Sequence, residues 1–223
     1  MAISVVQRVQ GSKATVTVPS VTVGNSLLVI AVYAGSPSAA DGTISDNKGN
    51  SYSAVVSKLY GFINTADGIE ICLAQGVAGG STTVTFSGGY SSYIVYTVAY
   101  ELSGVGGVDV STAQTGSSSV PNAGAMTTTH SGDFIYSIAC AYNASPSAPS
   151  GFTSAGIGNG SFDAYGSQSS AGSINVTWGS SNVSYWLCGA VALYAAPPAY
   201  SLTWNGVGVS AWDGVALSGW DGV

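Results

Sequence analysis

Apolar and polar residues alternate with a period of two through most of this chain. The clearest alternating segments are residues 14–18, 69–73, 83–86 and 174–178, where valine, isoleucine, phenylalanine or tryptophan positions are separated mainly by threonine, asparagine or glutamate. No segment of any length shows the 3.6-residue period of an amphipathic helix. The pattern predicts short β-strands that bury one face and leave the other in water.

Three further segments are apolar on both faces, which is typical of central strands covered on both sides. They are residues 27–33, 92–100 and 185–194. Clusters of Gly, Ser, Asn and Asp separate the strand segments at short intervals. About ten short strands at this spacing favour an antiparallel β-sandwich with a two-layer core and a jelly-roll-like topology. We expect this domain to span residues 1–196.

The character of the chain changes after the sandwich segments. Residues 197–199 (Pro-Pro-Ala) form a stiff connector, because proline cannot continue a strand ladder. Residues 200–223 then contain an eight-residue repeat that begins at Trp204, Trp212 and Trp220, each followed by Asn-Gly-Val or Asp-Gly-Val. Asn-Gly and Asp-Gly are strong signals for two-residue hairpin turns. The repeat therefore predicts a small C-terminal β-meander.

Strand alternation places apolar side chains on both faces of this meander. One face carries Trp204, Val207, Val209 and Trp220, and the other carries Trp212, Val215 and Leu217. So small a sheet is only marginally stable alone. It must pack on its own domain or on another chain, and the stiff connector favours another chain. We expect deletion of residues 197–223 to leave a soluble folded body that no longer assembles.

The charge balance excludes several partners. The chain has 4 basic and 10 acidic residues, a net charge of −6, and only 6% charged residues. Four scattered cations cannot neutralise a phosphate backbone, so no nucleic-acid partner is expected. No apolar segment reaches the roughly 18 residues of a membrane span, so no membrane insertion is expected. The N-terminus lacks the pattern of a signal peptide, which favours synthesis in the cytosol without export.

Three cysteines, Cys72, Cys140 and Cys188, lie far apart in apolar strand segments. This placement indicates small buried side chains and neither a disulfide framework nor a zinc site. A single disulfide between two of the three cysteines is the alternative.

Candidate catalytic residues are sparse, so we expect no enzyme and assign no catalytic residue. His130, the single histidine, lies in a polar stretch without a nucleophile motif and is expected on a surface loop. Glu70 and Glu101 suggest a glycosidase pair, but isolated carboxylates in apolar strands more commonly have structural roles.

No metal and no cofactor is expected. Asp46-Asn47-Lys48-Gly49-Asn50 offers oxygen ligands for Ca²⁺, but it fits better an Asx-stabilised turn with Gly49 at positive φ. Aromatic residues among Ser and Gly also suggest a carbohydrate-binding face formed by tyrosines or by the C-terminal tryptophans. No cluster in the sequence singles out such a glycan site, and its residues stay unknown. The tyrosines considered are Tyr90, Tyr93, Tyr96 and Tyr142.

Five short motifs, taken in their order along the chain, resemble those of a β-sandwich domain that is found in phage virion proteins and bacterial surface proteins. The motifs occupy residues 24–30, 45–52, 78–86, 100–105 and 131–134, within a match that covers residues 1–196. The terminal repeat is similar to the short W/Y-x-G-V endings of minor tail proteins from phages that infect actinobacteria.

The resemblance implies a non-enzymatic structural protein of the virion, either a minor tail subunit or a capsid-decoration subunit. Such a protein is made in the host cytoplasm and forms homo-oligomers, with a trimer favoured, beside neighbouring virion proteins. The residues that the apolar faces of the C-terminal meander indicate for assembly are Trp204, Val207, Val209, Trp212, Val215, Leu217 and Trp220. The alternative function is a glycan-binding adhesin module for host cell-surface carbohydrate, located on a bacterial surface or outside the cell. The resemblance supplies no catalytic residues.

Overall fold

A computed structural model describes most of the chain and contains strands, turns and loops but no helix among the described residues. The described residues are 2–35, 42–62, 65–87, 95–141, 145–158, 160–179, 185–198, 202–204, 207–209, 211–212 and 215–216. All strand pairs are antiparallel. The predicted all-β antiparallel sandwich is therefore confirmed.

The described residues of the N-terminal half of the body, within residues 4–103, form eight strands. They are β1 (Ser4–Gln10), β2 (Thr15–Val21), β3 (Ser26–Gly35), β4 (Thr43–Asp46), β5 (Ser53–Phe62), β6 (Thr65–Ala74), β7 (Gly80–Ser87) and β8 (Val95–Ser103). Five of them form an inner sheet in the order β1-β8-β3-β6-β5, and three form an outer sheet in the order β2-β7-β4.

In the C-terminal half, residues 105–195, the structure describes seven strands. They are β9 (Val105–Gly116), β10 (Asn122–Thr128), β11 (Asp133–Ala141), β12 (Thr153–Gly158), β13 (Ser161–Gln168), β14 (Gly172–Thr177) and β15 (Trp186–Ala195). Its inner sheet has the order β9-β15-β11-β13-β12, and β10 and β14 form its outer sheet.

The two halves have the same connectivity. In each half the first strand pairs with the last, the second with the next to last, and the third with the strand two places before the last. This nested pairing is the wrapping of a jelly roll. One strand differs, because β4 of the first half has no counterpart among the described residues of the second.

Equivalent hydrogen bonds support this correspondence between the halves. The N–H of Phe86 donates to the carbonyl of Ala14, and the N–H of Trp178 donates to the carbonyl of Pro121, both at 2.8 Å. Each aromatic residue ends a Val-Thr-aromatic triplet and covers the third strand of its own half. Phe86 stacks on Tyr33 at 5.1 Å, and Trp178 donates its indole N–H to the Ser137 hydroxyl at 3.1 Å.

The body has four layers, whereas the sequence pattern predicted two. The inner sheets pack face to face through one apolar cluster, to which Leu28, Ile30, Tyr136, Ile138 and Val191 contribute. The outer sheets cover their opposite faces, where the intervening residues of β3 and β11 point. This explains why residues 27–33 are apolar on both faces.

The predicted central positions are confirmed, because β3, β8 and β15 each have a neighbour on both sides. The prediction that residues 69–73 expose one face to solvent is wrong. Glu70 is only 2% exposed and Cys72 only 4%, because β6 belongs to an inner sheet that is covered on both faces.

Three parts of the chain meet at Gly104, the single residue between β8 and β9. The N–H of Ala196 donates to the Gly104 carbonyl at 2.8 Å. A side chain at Gly104 would lie 3.1 Å from the carbonyl oxygen of Ala2. The start of the body, the junction of its halves and the exit toward the connector therefore share one end of the sandwich.

Candidate functional site

The C-terminal repeat forms hairpin pairs in the described residues. β16 (Leu202–Trp204) pairs with β17 (Val207–Val209), and β18 (Ala211–Trp212) pairs with β19 (Val215–Ala216). Trp204 is opposite Val207, and Trp212 is opposite Val215. These two pairings have the register that a two-residue Asn-Gly or Asp-Gly connection requires.

The two pairs belong to separate two-stranded sheets, and no described residue of the body joins either sheet. A single continuous meander would place β17 and β18 in one sheet, whereas here they belong to different sheets. The turn residues, Leu217 and Trp220 lie outside the described residues, as do the side chains of Trp204, Val207, Val209, Trp212 and Val215. Their assignment to assembly stays a prediction.

Glu70 and Glu101 are not arranged as a glycosidase pair. In the ladders of β3, Glu70 is opposite Ala31 and Glu101 is opposite Leu27. This offset of four residues is about 13 Å along a strand, whereas glycosidase carboxylates are roughly 5–10 Å apart. The oxygens of Glu101 also accept hydrogen bonds from Gln7, Thr22 and Asn25. Glu101 therefore joins β1 and the β2–β3 loop to β8.

The predicted Asx turn at Asp46 is confirmed. Gly49 has a φ of 76°, and Asp46 accepts hydrogen bonds from the N–H groups of Lys48 and Asn50. Its second oxygen accepts from the Asn50 amide and the Tyr52 hydroxyl, at 2.7 and 2.8 Å. Each oxygen of this carboxylate therefore accepts two hydrogen bonds within the turn.

A buried ion pair connects the two halves of the body. Asp163 on β13 is fully buried and lies 3.1 Å from the Arg8 guanidinium on β1. The Tyr100 hydroxyl donates to the same carboxylate at 2.7 Å. Burial and the neighbouring Asp163 raise the pKa of Tyr100, so its hydroxyl keeps its proton and remains a donor.

Cys72 and Cys188 are buried, and neither forms a disulfide. Burial and the nearby Glu70 raise the pKa of Cys72 to about 12, and burial also raises the pKa of Cys188. Both thiols are therefore protonated at neutral pH and poor nucleophiles.

Asp109, His130 and Asp133 form a cluster that the sequence did not predict. Asp109 lies on β9, His130 lies in the turn before β11, and Asp133 is the first residue of β11. One ligand atom from each residue lies within 4.8 Å of the others. Asp109 and Asp133 are 24 residues apart in the sequence, so only the packing of β9 near the start of β11 reveals the cluster.

The immediate neighbours of the cluster orient its side chains. Thr129 donates its N–H and its hydroxyl to the two oxygens of Asp109, both at 2.5 Å. The His130 ring stacks on Tyr194 with centroids 4.5 Å apart and an interplanar angle of 17°. Tyr194 in turn lies over the backbone of Gly107, where a Cβ would be 2.8 Å from its hydroxyl.

The arrangement is not a catalytic triad. The Thr129 hydroxyl and the Asp109 carboxylate both approach Nδ1 of His130, at 3.0 and 3.4 Å. A triad instead uses the two ring nitrogens for two different partners. As the sequence predicted, His130 is exposed in a turn, with half of its side-chain surface accessible.

The two carboxylates of the cluster differ in their surroundings. Burial opposes ionisation of Asp109, but the hydrogen bonds from Thr129 outweigh it and lower the pKa of Asp109 to about 2. Burial and the neighbouring Asp109 raise the pKa of Asp133 to about 6. Asp133 is fully buried, and in the part of the chain that the structure describes neither of its oxygens accepts a hydrogen bond.

The chain matches no protein-family model, no curated protein and no solved structure. In the part of the chain that the structure describes, no helix is long and apolar enough to cross a membrane. The architecture defines the chain as an all-β antiparallel sandwich protein built from two halves with the same connectivity.

Proposed function

We propose that this chain is a non-enzymatic structural subunit of a phage virion, a minor tail or capsid-decoration protein that associates with copies of itself through residues 200–223. The observation that carries the proposal is the repeated hairpin register, in which Trp204 is opposite Val207 and Trp212 is opposite Val215. Two-stranded sheets of this size need additional packing to be stable. A neighbouring molecule supplies that packing in this proposal.

A second copy of the chain is the partner that best fits this repeat. Each copy offers three Trp-Asx-Gly-Val units, so several copies provide equivalent strands and aromatic side chains. Residues 164–212 carry no charged side chain, so no charge repulsion opposes the association of this segment with its equivalents. A trimer is the favoured oligomer, and neighbouring virion proteins would contact the exposed body.

The contacts of the body are consistent with a structural role. The carboxylates of Asp46, Glu101 and Asp163 are held by donors within the protein, and the buried thiols are protonated. These groups stabilise turns and strand contacts and are not free for acid–base or nucleophilic chemistry. A low content of charged residues also suits a surface that neighbouring subunits cover.

The test is a triple substitution, Trp204→Ser/Trp212→Ser/Trp220→Ser, in the full chain. We expect light scattering to give the mass of one chain, 22.1 kDa, for the variant and a multiple of it for the natural protein. Aromatic anchors contribute much of the energy of an interface, so their loss separates the subunits.

A matched control changes three exposed valines of the body, Val6→Ser/Val23→Ser/Val120→Ser, and should keep the oligomer. A monomeric natural protein, or a triple tryptophan variant that remains oligomeric, contradicts the proposed assembly role. Mass spectrometry of purified particles should find the natural chain at a fixed number of copies per particle, and its absence there contradicts the virion assignment.

Glycan binding is the second candidate function, and one surface feature favours it. An open depression of about 370 Å³ is lined by Phe134, Tyr165, Thr153 and Ser167, among other residues. The Phe134 and Tyr165 rings stack with centroids 5.6 Å apart, and the two hydroxyl side chains offer hydrogen bonds to a sugar. Saturable binding on a glycan array that weakens in Thr153→Val/Ser167→Ala supports this function. An array without binding contradicts it.

A further inference from the structure

We infer that Asp109, His130 and Asp133 bind one divalent metal ion of the zinc type. Their ligand atoms all lie within 4.8 Å of one another. The Asp109 oxygen and the His130 Nδ1 are 3.4 Å apart. Two ligands of a tetrahedral zinc ion, with bonds of about 2.0–2.1 Å, are separated by about 3.3 Å. The Asp109–His130 spacing therefore matches two ligands of one ion, and ligand atoms that are farther apart must approach each other when the ion binds.

Asp133 is the independent observation that points to a ligand. Its side chain is fully buried, neither oxygen has a hydrogen-bond donor among the described residues, and it lies next to the carboxylate of Asp109. Asp163 is equally buried, but its oxygens accept hydrogen bonds from Arg8 and Tyr100. A buried carboxylate is expected to be paired with a positive charge or to coordinate a metal. Between two carboxylates, a cation supplies the missing charge.

The donor set selects the class of ion. Two carboxylates alone would suit Ca²⁺ or Mg²⁺, but an imidazole nitrogen favours Zn²⁺ and related transition metals. Three protein ligands also match the sites in which zinc keeps a fourth position for water. The exposed side of His130 gives the ion access from solvent.

The surrounding residues hold the ligands in place, as outer-shell partners of metal sites commonly do. Thr129 fixes the Asp109 carboxylate through two hydrogen bonds, and Tyr194 fixes the plane of the His130 ring. Tyr194 lies two residues before Ala196, at the end of β15. An ion at this site would therefore connect β9, the turn before β11 and, through ring stacking, the exit of the C-terminal segment.

The test is calorimetric titration of the full chain, freed of metal with a chelator, with zinc chloride. We expect one ion per chain and a rise in the melting temperature, because an ion that binds only the folded protein stabilises it. Asp133→Asn and His130→Gln should each weaken zinc binding at least about tenfold. Asp46→Asn is the matched control, since it removes the same charge from a carboxylate that donors already surround, and its affinity should be unchanged.

Cobalt supplies a second measurement that does not depend on stability. Co²⁺ in place of zinc should give the visible absorption of a four-coordinate site, and this signal should be lost in His130→Gln. Circular dichroism checks that each variant is folded. Three results would overturn the inference: no zinc binding by the natural chain, equal binding by Asp133→Asn, or tighter binding of Ca²⁺ than of Zn²⁺. In the first case the two carboxylates share a proton instead.

Discussion

Glu101 illustrates which residue-scale features the sequence could and could not predict. The Asx turn of Asp46 was predictable, because its partners lie within six residues along the chain. The donors to Glu101 lie 76 to 94 residues away in sequence, so only the folded sheet brings them together. The Asp109–Asp133 cluster escaped sequence reasoning for the same reason. Hydrogen bonds between residues close in sequence could be predicted from the sequence, whereas clusters formed between distant strands could not.

Replacing Glu101 with glutamine should destabilise the protein by about 1–3 kcal/mol at pH 7. The amide presents an N–H₂ group to donors from Gln7, Thr22 or Asn25, so at least one of these donors loses its acceptor. Urea unfolding followed by circular dichroism measures the change. An unchanged free energy of unfolding would contradict the role assigned to this carboxylate.

The pH dependence of the same variant is a further part of this prediction. Burial opposes ionisation of Glu101, but hydrogen bonds from Gln7, Thr22 and Asn25 outweigh it and lower its pKa below 4.5. The folded state therefore holds the proton less tightly than the unfolded state. This contribution to stability is present above pH 4.5 and is lost as the pH falls below that value. Glu101→Gln should lack this part of the acid sensitivity.

At the scale of strands and sheets, the apolar residues on each strand face predicted reliably which strands are central and which residues are buried. Strands apolar on both faces proved to be central, and β2 and β14 bury alternate residues as predicted. The error at Glu70 arose because a single polar residue suggests a wet face, although an outer sheet covers that face of β6. The duplicated connectivity had weak sequence signals, namely Val84-Thr85-Phe86 against Val176-Thr177-Trp178 and Gly24-Asn25 against Gly132-Asp133. These matches are too short to indicate a duplication by themselves, and only the strand order shows that the two segments of each match are equivalent.

Gly189 on β15 lies at a close contact between the inner sheets. A Cβ there would be 2.7 Å from the Cδ1 of Ile69 and 3.3 Å from the Cγ1 of Val56. Gly189→Val should cost about 1–3 kcal/mol in the free energy of unfolding, because overpacking forces the sheets apart. Urea unfolding measures the effect.

Two further variants make this test specific. At Gly156, an exposed strand glycine, the nearest described atom to a Cβ lies 3.8 Å away, so Gly156→Val should change stability by less than about 0.5 kcal/mol. Gly189→Ala combined with Ile69→Val removes the clashing Cδ1 and should be more stable than the sum of the two single changes predicts. Strict additivity would show that the two sheets do not meet at these residues.

The whole body depends on contacts between its halves. The apolar cluster between the inner sheets takes residues from both halves, and the Arg8–Asp163 ion pair crosses the same boundary. Edge contacts also occur on both sides, from Ser111 on β9 to Val55 on β5 and from Gln10 on β1 to Ile157 on β12. Neither half buries its inner face without the other.

The two halves should therefore unfold in one cooperative transition. A chain of residues 1–198 retains only Trp178 and Trp186, both in the C-terminal half, so their fluorescence reports that half alone. Circular dichroism reports both halves. We expect the two urea transitions to coincide.

A variant in the N-terminal half sharpens this comparison. Val16→Ala, in the core beneath the outer sheet of that half, should shift the tryptophan transition by the same amount as the dichroism transition, about 1–3 kcal/mol. If Val16→Ala leaves the fluorescence transition unchanged, the two halves fold independently.

The position of β15 determines how the body responds to mechanical force. Its C-terminal end leads directly to the Pro197–Pro198 connector, and β11 and β9 flank it along nearly its whole length. The hydrogen bonds of antiparallel ladders run perpendicular to the strands. Tension transmitted through the C-terminal segment therefore pulls β15 along its own axis and shears two ladders at once, with all their bonds sharing the force. A body held by this segment would therefore resist drag better than one held by an edge strand, in which a single ladder carries the same force.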